Sequence, residues 1–273
     1  MKIAIDGALV APERAQISVL DRGLLYGDGL FEVLRTWRGV AVDLDAHLDR
    51  LYASAEALAL RAMPREALAA SVRDAIAAAG AGEHRIRIVL TRGAGALGER
   101  LAALGPGRSI VIVEPLPAQP VALAAAVVDW PLPRRAGAGH KALAYLDHLV
   151  ARELAAAAGA DEAIRLDPDG DVAEGATSSV FAVVAGRVVT PPLAGAVPGI
   201  TRARVLAICA RLAIPHAVRR LPLAELRAAD ELFATSALRG VVPITRLDAR
   251  ELPAGPVTAH IALAHAQMME GLL

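Results

Sequence analysis

The chain has 273 residues, of which 29 are basic and 29 acidic, and it is 55% hydrophobic but only 3% aromatic. That length can support one large or two modest domains, and two are expected, with a core built from Ala, Val, Leu and Ile. Balanced charge without a long block of one sign argues against an electrostatic grip on nucleic acid or an anionic membrane, and leaves a small molecule or a second copy as the expected partner.

The N-terminal stretch MKIAIDGALV makes a poor signal peptide and a good first strand. Residues 2–6 (KIAID), 15–20 (AQISVL), 31–37 (FEVLRTW) and 40–44 (VAVDL) read as strands. Residues 43–60 read as a helix, with Asp43 or Asp45 available to cap it and Leu48, Leu51, Ala55 and Leu58 at helical spacing. An Ala-rich helix over 65–79 leads into strands at 85–93 (RIRIVLTRG) and 109–116 (SIVIVEPL). The proline-punctuated run EPLPAQP then marks a linker, which divides the chain into a small N-terminal α/β domain (1–115), a linker (116–120) and a larger C-terminal domain (121–273).

Further strands are expected at 121–130, 161–167, 179–189 and 231–237, and helices at 143–159, 201–212 and about 259–271. The single cysteine, Cys209, falls in the apolar helical run RVLAICARL and reads as a buried side chain, not a reactive thiol. No apolar run reaches the roughly 20 residues of a membrane helix, so a cytoplasmic protein of mixed α and β structure is expected.

Only two of the basic residues are lysines, Lys2 and Lys141. Arginine stays protonated, whereas lysine can lose its proton and condense with a carbonyl, so a lone internal lysine asks for a chemical reason. Three other positions share that character. Pro198-Gly199-Ile200-Thr201 opens a helix whose free N–H groups could receive a phosphate, or is an ordinary helix start. Arg50 lies on the apolar face of its helix with His47, Leu51 and Ser54, and needs an anion, either a phosphate or an internal carboxylate. Glu174 follows an Asp-Gly turn among small residues, where it could approach a flat heterocycle or simply be solvated. The histidines lack metal-ligand spacing, and no serine-hydrolase elbow, Walker loop or dinucleotide fingerprint occurs.

Taken in order, the blocks DRGLLYGDGLFEVLR, AHLDRLYASAE, HKALAYL, GADEAIRLDPDGDVAEGATSSVF, TPPLAGAVPGITRARVL and ELFATSALRGVVPI resemble the fold-type IV (class IV) pyridoxal-phosphate aminotransferases and their lyase relatives. The resemblance implies a two-domain α/β fold with a C-terminal pseudo-barrel, pyridoxal 5'-phosphate as cofactor and a homodimer whose neighbouring subunit closes the site. It further implies that Lys141 forms the Schiff base and serves as catalytic base, with a depressed pKa. By the same resemblance Glu174 bonds the pyridine nitrogen, Arg50, Ile200 and Thr201 take the phosphate, Tyr145 contacts the phenolic oxygen, and Ser236 lies in a phosphate-binding segment.

The implied reaction is transfer of an amino group from an amino acid or amine to a 2-oxo acid by a ping-pong cycle. The alternative is the aminodeoxychorismate lyase reaction, because ATSALRGVVPI resembles a segment of those lyases. D-amino-acid transaminases trap the carboxylate with a Tyr where this chain has Phe31, and with an Arg-x-His where it has Leu97 and Glu99. The start of the GDGLFE block and the absence of a Thr-Ala-x-Glu segment depart from the branched-chain pattern. Candidate substrate-binding residues are therefore Phe31, Arg87, Arg92, Arg100 and Arg239.

Overall fold

A computed structural model describes residues 1–101, 104–130 and 139–271. The chain is mixed α/β and divides into two compact units, one comprising Met1–Ala118 with His140–Tyr145, the other Gln119–Gly139 with Leu146–Leu273. The change of unit falls within the EPLPAQP run. A short later segment around Lys141, however, belongs to the first unit.

The first unit contains β1 (Lys2–Ile5), β2 (Ala8–Val10), α1 (Arg22–Tyr26), β3 (Gly29–Trp37), β4 (Val40–Ala41), α2 (Leu44–Ala57), α3 (Arg65–Ala79), β5 (His84–Thr91) and β6 (Arg108–Pro115). Its six-stranded sheet runs β2-β1-β6-β5-β3-β4. Alternation along the strands puts Leu30, Leu34, Ile86 and Ile88 on one face, where α2 and α3 cover them with Leu48, Leu51, Leu68 and Val72. Phe31 and Val33 point to the opposite face, as do their register partners Val89 and Arg87.

Two sequence expectations fail here. Residues 15–20 form an irregular stretch that ends in a turn at Val19-Leu20 instead of a strand: Ile17, Val19 and Leu20 are exposed, and the Ser18 hydroxyl and carbonyl accept hydrogen bonds from the Leu20 and Asp21 N–H groups. An apolar alternation with no sheet face to bury settles into local side-chain turns. The start of α2 also lacks the expected acid cap, because Asp43 adopts a left-handed conformation (φ 53°) and makes no side-chain capping bond.

The second unit contains β7 (Leu123–Val127), α4 (Leu146–Ala157), β8 (Glu162–Leu166), β9 (Val172–Gly175), β10 (Ser179–Val184), β11 (Arg187–Thr190), α5 (Ile200–Arg211), β12 (His216–Val218), α6 (Leu223–Ala228), β13 (Glu231–Ser236), β14 (Gly240–Leu247), β15 (Arg250–Glu251) and α7 (Pro256–Glu270). The sheet order is β12-β11-β10-β13-β14-β7-β8-β9, with β15 beside β14. The expected strand at 179–189 is a hairpin, turned at Ala185-Gly186 with positive φ at both residues, as a two-residue hairpin turn requires. Strand β14 lies outside the sequence expectations, because Pro243 interrupts its pattern. Its neighbour β7 pairs with it only from Ile244 onward, so the missing proline N–H does not cost that ladder a bond. The aromatic pair Phe181 and Phe233 stacks at 4.7 Å beneath α5 and α7, in a cluster that also buries Cys209.

Candidate active site

Lys141 is carried on a short extended segment that docks on β3. The Phe31 N–H donates to the Lys141 carbonyl (2.9 Å), and the Leu143 N–H donates to the Gly29 carbonyl (2.9 Å). Gly27 makes room for this segment: it is left-handed (φ 64°), and a Cβ there would lie 2.9 Å from the Ala144 backbone. His140 is within 3.0 Å of Ser54 Oγ, which ties the same segment to α2.

The docking places Lys141 Nζ 4.3 Å from the centre of the Phe31 ring and 5.5 Å from that of Tyr145; the two rings meet edge to face at 5.1 Å. The Arg87 guanidinium lies 4.2 Å from the same Phe31 ring. A primary amine and a guanidinium thus flank a phenyl ring that is itself buried.

The four candidate arginines separate by their partners. Arg92 is buried and fully engaged: its Nε bonds Asp28, and its two Nη atoms donate to the Leu58 and Ala59 carbonyls. Arg239 donates to Glu162 (3.1 Å), and Arg100 is exposed. Arg87 has no carboxylate partner among the described residues. Burial pushes its guanidinium pKa down, Arg85 adds to that, and Tyr145 opposes it.

Arg50 meets an internal carboxylate, one of the two anions its position called for. Its Nε donates to Glu32 Oε1 (2.7 Å) and its Nη2 to Oε2 (2.6 Å), while His47 Nδ1 lies 2.7 Å from Oε2. Burial alone would raise the Glu32 pKa, but these donors hold it below the usual carboxylate range.

In the second unit, Glu174 sits buried at the end of β9; its Oε2 accepts from the Val197 N–H (3.2 Å), and His148 Nε2 is 3.5 Å from its Oε1. Helix α5 begins at Ile200 behind Gly199, which caps it without any side-chain hydrogen bond. A Cβ on Gly199 would lie 2.6 Å from Ser179 Oγ, so the chain comes close there, and Thr201 is buried in the first turn. An uncapped helix N-terminus presents N–H donors and partial positive charge to an anion. Ser236 ends β13, where its Oγ accepts from the Arg239 N–H (3.4 Å).

Sequence reading passed over the groups that hold these residues in place. Glu162, fully buried, accepts from Thr177 Oγ1 (2.6 Å), Ser178 Oγ (3.0 Å) and Arg239, so it gathers the turn after Glu174 and the turn after Ser236. Arg202, buried in the first turn of α5, donates to the Pro191 carbonyl (2.9 Å). The signal for Glu162 and Glu32 was an acid with apolar residues beside it in a strand, which must find donors once buried.

Each unit by itself carries groups of a kind that suits pyridoxal phosphate: the first an amine flanked by aromatic rings, the second a buried carboxylate and a helix start without a side-chain cap. A family profile described as amino-transferase class IV matches residues 29–247. A Methanocaldococcus jannaschii protein provisionally named a branched-chain-amino-acid aminotransferase is 35% identical over 261 residues, covering 92% of this chain and 89% of the relative. A Bacillus licheniformis D-alanine aminotransferase is 29% identical over 273 residues, covering 97% and 95%. The solved structure of the branched-chain aminotransferase from the archaeon Thermoproteus uzoniensis with norvaline superposes with a TM-score of 0.93 at 33% identity, covering 99% of this chain and 95% of that one.

Proposed function

The chain belongs to the class IV amino-transferase family and is a pyridoxal-phosphate-dependent enzyme that moves an amino group between an amino acid and a 2-oxo acid, and within that chemistry we propose the residue roles and the substrate that follow. When bound, pyridoxal phosphate supplies an aldehyde that condenses with amines and a pyridine ring that draws off negative charge.

Lys141 would be the amine that holds the cofactor, and its Nζ would carry the proton between the substrate carbon and the acceptor. Glu174 accepts a hydrogen bond from the protonated pyridine nitrogen. Arg50, the N–H groups of Ile200 and Thr201, and Ser236 bind the phosphate, and Tyr145 donates to the phenolic oxygen. Arg87 reads the substrate carboxylate as a planar two-donor fork.

The observation that carries this reading is the pairing of Lys141 Nζ and the carboxylate-free Arg87 guanidinium about one ring, Phe31. Amine chemistry beside an available carboxylate receptor suits an amino acid. Aliphatic L-amino acids are the proposed donors. In the positions where D-amino-acid transaminases trap the carboxylate, Phe31 has no hydroxyl, Leu97 is exposed and apolar, and Glu99 accepts from the Ala96 N–H (2.8 Å). The relatives named for branched-chain substrates support the same choice. Apart from the resemblance of ATSALRGVVPI to a lyase segment, no observation favours the lyase reaction.

The proposed assembly is a homodimer. The segment through α1 exposes Val19, Leu20, Leu24, Leu25 and Tyr26, an apolar run suited to cover by a second copy. No helix among the described residues is long and apolar enough to cross a membrane.

A half-reaction screen tests the substrate. The enzyme is mixed with L-leucine, L-valine, D-alanine, an (R)-amine lacking a carboxylate, or aminodeoxychorismate, and cofactor absorbance is followed. Conversion by the first two is expected. Conversion by the amine alone would defeat the role given to Arg87. Preference for D-alanine would reverse the stereochemical assignment, and pyruvate release without an acceptor would make the protein a lyase.

A further inference from the structure

Strand β3 serves both faces of its sheet. Phe31 faces Lys141 and Arg87, and the next residue, Glu32, faces α2, where it is 1% exposed and meets His47 and Arg50, three residues apart on that helix. We infer that Glu32 and His47 are positioning residues for cofactor binding, which together fix the Arg50 guanidinium for the phosphate; this rests on the proposed phosphate role of Arg50.

The argument is geometric. A guanidinium on a flexible stem samples many rotamers, and holding it in one plane for a phosphate costs conformational entropy at the moment of binding. Glu32 takes the Nε and Nη2 edge of Arg50 with two bonds of 2.7 and 2.6 Å, which defines both the plane and the roll of the group before any ligand arrives. His47 then fixes Glu32. The carboxylate is held ionised, so at 2.7 Å the proton of that contact resides on His47 Nδ1, which donates to Oε2. Because His47 and Glu32 are both 1% exposed, solvent does not compete for either bond. The helix that carries Arg50 also carries Ser54, one turn on, which contacts His140 beside Lys141, so the phosphate grip and the reactive amine are set by the same element.

Charge and position make opposite predictions for Glu32. If the carboxylate merely neutralised Arg50, removing its charge would tighten phosphate binding. If it positions Arg50, the amide of Glu32→Gln turns an N–H₂ towards one of the three donors, breaks the two-bond hold and weakens binding.

The test compares affinities of the apoenzyme variants for pyridoxal phosphate and for pyridoxal, which lacks the phosphate, read by fluorescence quenching. Arg50→Ala is expected to weaken pyridoxal phosphate about 100-fold and pyridoxal hardly at all, in line with loss of a charged hydrogen-bonding fork. Glu32→Gln is expected to weaken pyridoxal phosphate about tenfold with pyridoxal unchanged. His47→Ala is expected to weaken pyridoxal phosphate by a few-fold, and His47→Asn, which keeps an N–H near the Nδ1 position, to restore it.

Pyridoxal phosphate affinity that is unchanged or increased in Glu32→Gln, with Arg50→Ala weakened as expected, overturns the positioning role alone. An equal loss for both ligands overturns it as well, since a purely structural defect would act on both. Should Glu32→Gln fail to fold, the His47→Ala and His47→Asn pair decides: no difference between them rejects the proposal. An Arg50→Ala variant with normal pyridoxal phosphate affinity removes the phosphate role of Arg50 itself.

Discussion

Arg87 and Arg92 stand five residues apart on one stretch of chain, yet their surroundings assign them opposite work. Arg92 spends its donors on Asp28 and two backbone carbonyls, so Arg92→Ala is expected to destabilise the fold by about 2–3 kcal/mol, seen as a lower Tm. Arg87, without a carboxylate partner among the described residues, is the proposed reader of the substrate carboxylate. Arg87→Ala is expected to lower kcat/KM for L-leucine by about 10- to 100-fold, the worth of a charged hydrogen bond of about 1.5–3 kcal/mol, with Tm nearly unchanged. Turnover of an amine without a carboxylate should be spared; an equal loss on that amine would show that Arg87 acts otherwise.

Glu32 gives a pH prediction at the same scale. Its folded pKa lies below the unfolded value of about 4.3, so its contribution to stability is complete above that pH and is lost as pH falls through the folded value. Wild type should therefore lose stability in acid more steeply than Glu32→Gln, as urea midpoints between pH 3 and 6 would show; parallel curves would contradict the cause given. Cys209, with its thiol pushed up to about 11 by burial, should stay unreactive towards a thiol reagent at pH 8 until the protein is unfolded.

Elements whose local pattern agrees with their surroundings were legible in the sequence. Helix α3 occupies Arg65–Ala79, as its composition and flanking Pro64 and Gly80 indicate. Strand β14 was hidden by Pro243, and the apolar run at 15–20 was mistaken for a strand, because only the partner strands decide whether a pattern is paired. The segment bearing Lys141 is the most dependent on its neighbours: residues 143–145, expected to start a helix, are not helical, with the Leu143 N–H bonded to Gly29 on β3 and the Tyr145 N–H to the Leu143 carbonyl, and α4 begins at Leu146. Gly27 is the hinge of that arrangement. Gly27→Ala places a side chain in a left-handed residue, at about 1–2 kcal/mol, and against the Ala144 backbone. A lower Tm together with weaker pyridoxal phosphate binding is expected; a lower Tm alone would mean that the Lys141 segment tolerates the intrusion.

For the molecule as a whole, the prediction concerns assembly. Leu24→Glu puts a charge in the exposed apolar segment at α1, where Leu24 is 62% exposed, so the fold itself should tolerate it. Sedimentation should show a dimer for wild type and a monomer for the variant. A monomeric wild type would discard the proposed homodimer.

By itself the sequence determined the class of fold, through hydrophobic periodicity, and the family and the cofactor, through the resemblance of its ordered blocks to the class IV enzymes. It also narrowed the carboxylate readers to a handful of arginines. Choosing among them needed the tertiary structure, since an arginine's role depends on whether a carboxylate from a distant part of the chain already occupies it. Asp28 lies 64 residues before Arg92, and Glu162 lies 77 before Arg239. Charge pairing acts through space, and spacing along the chain carries no record of it.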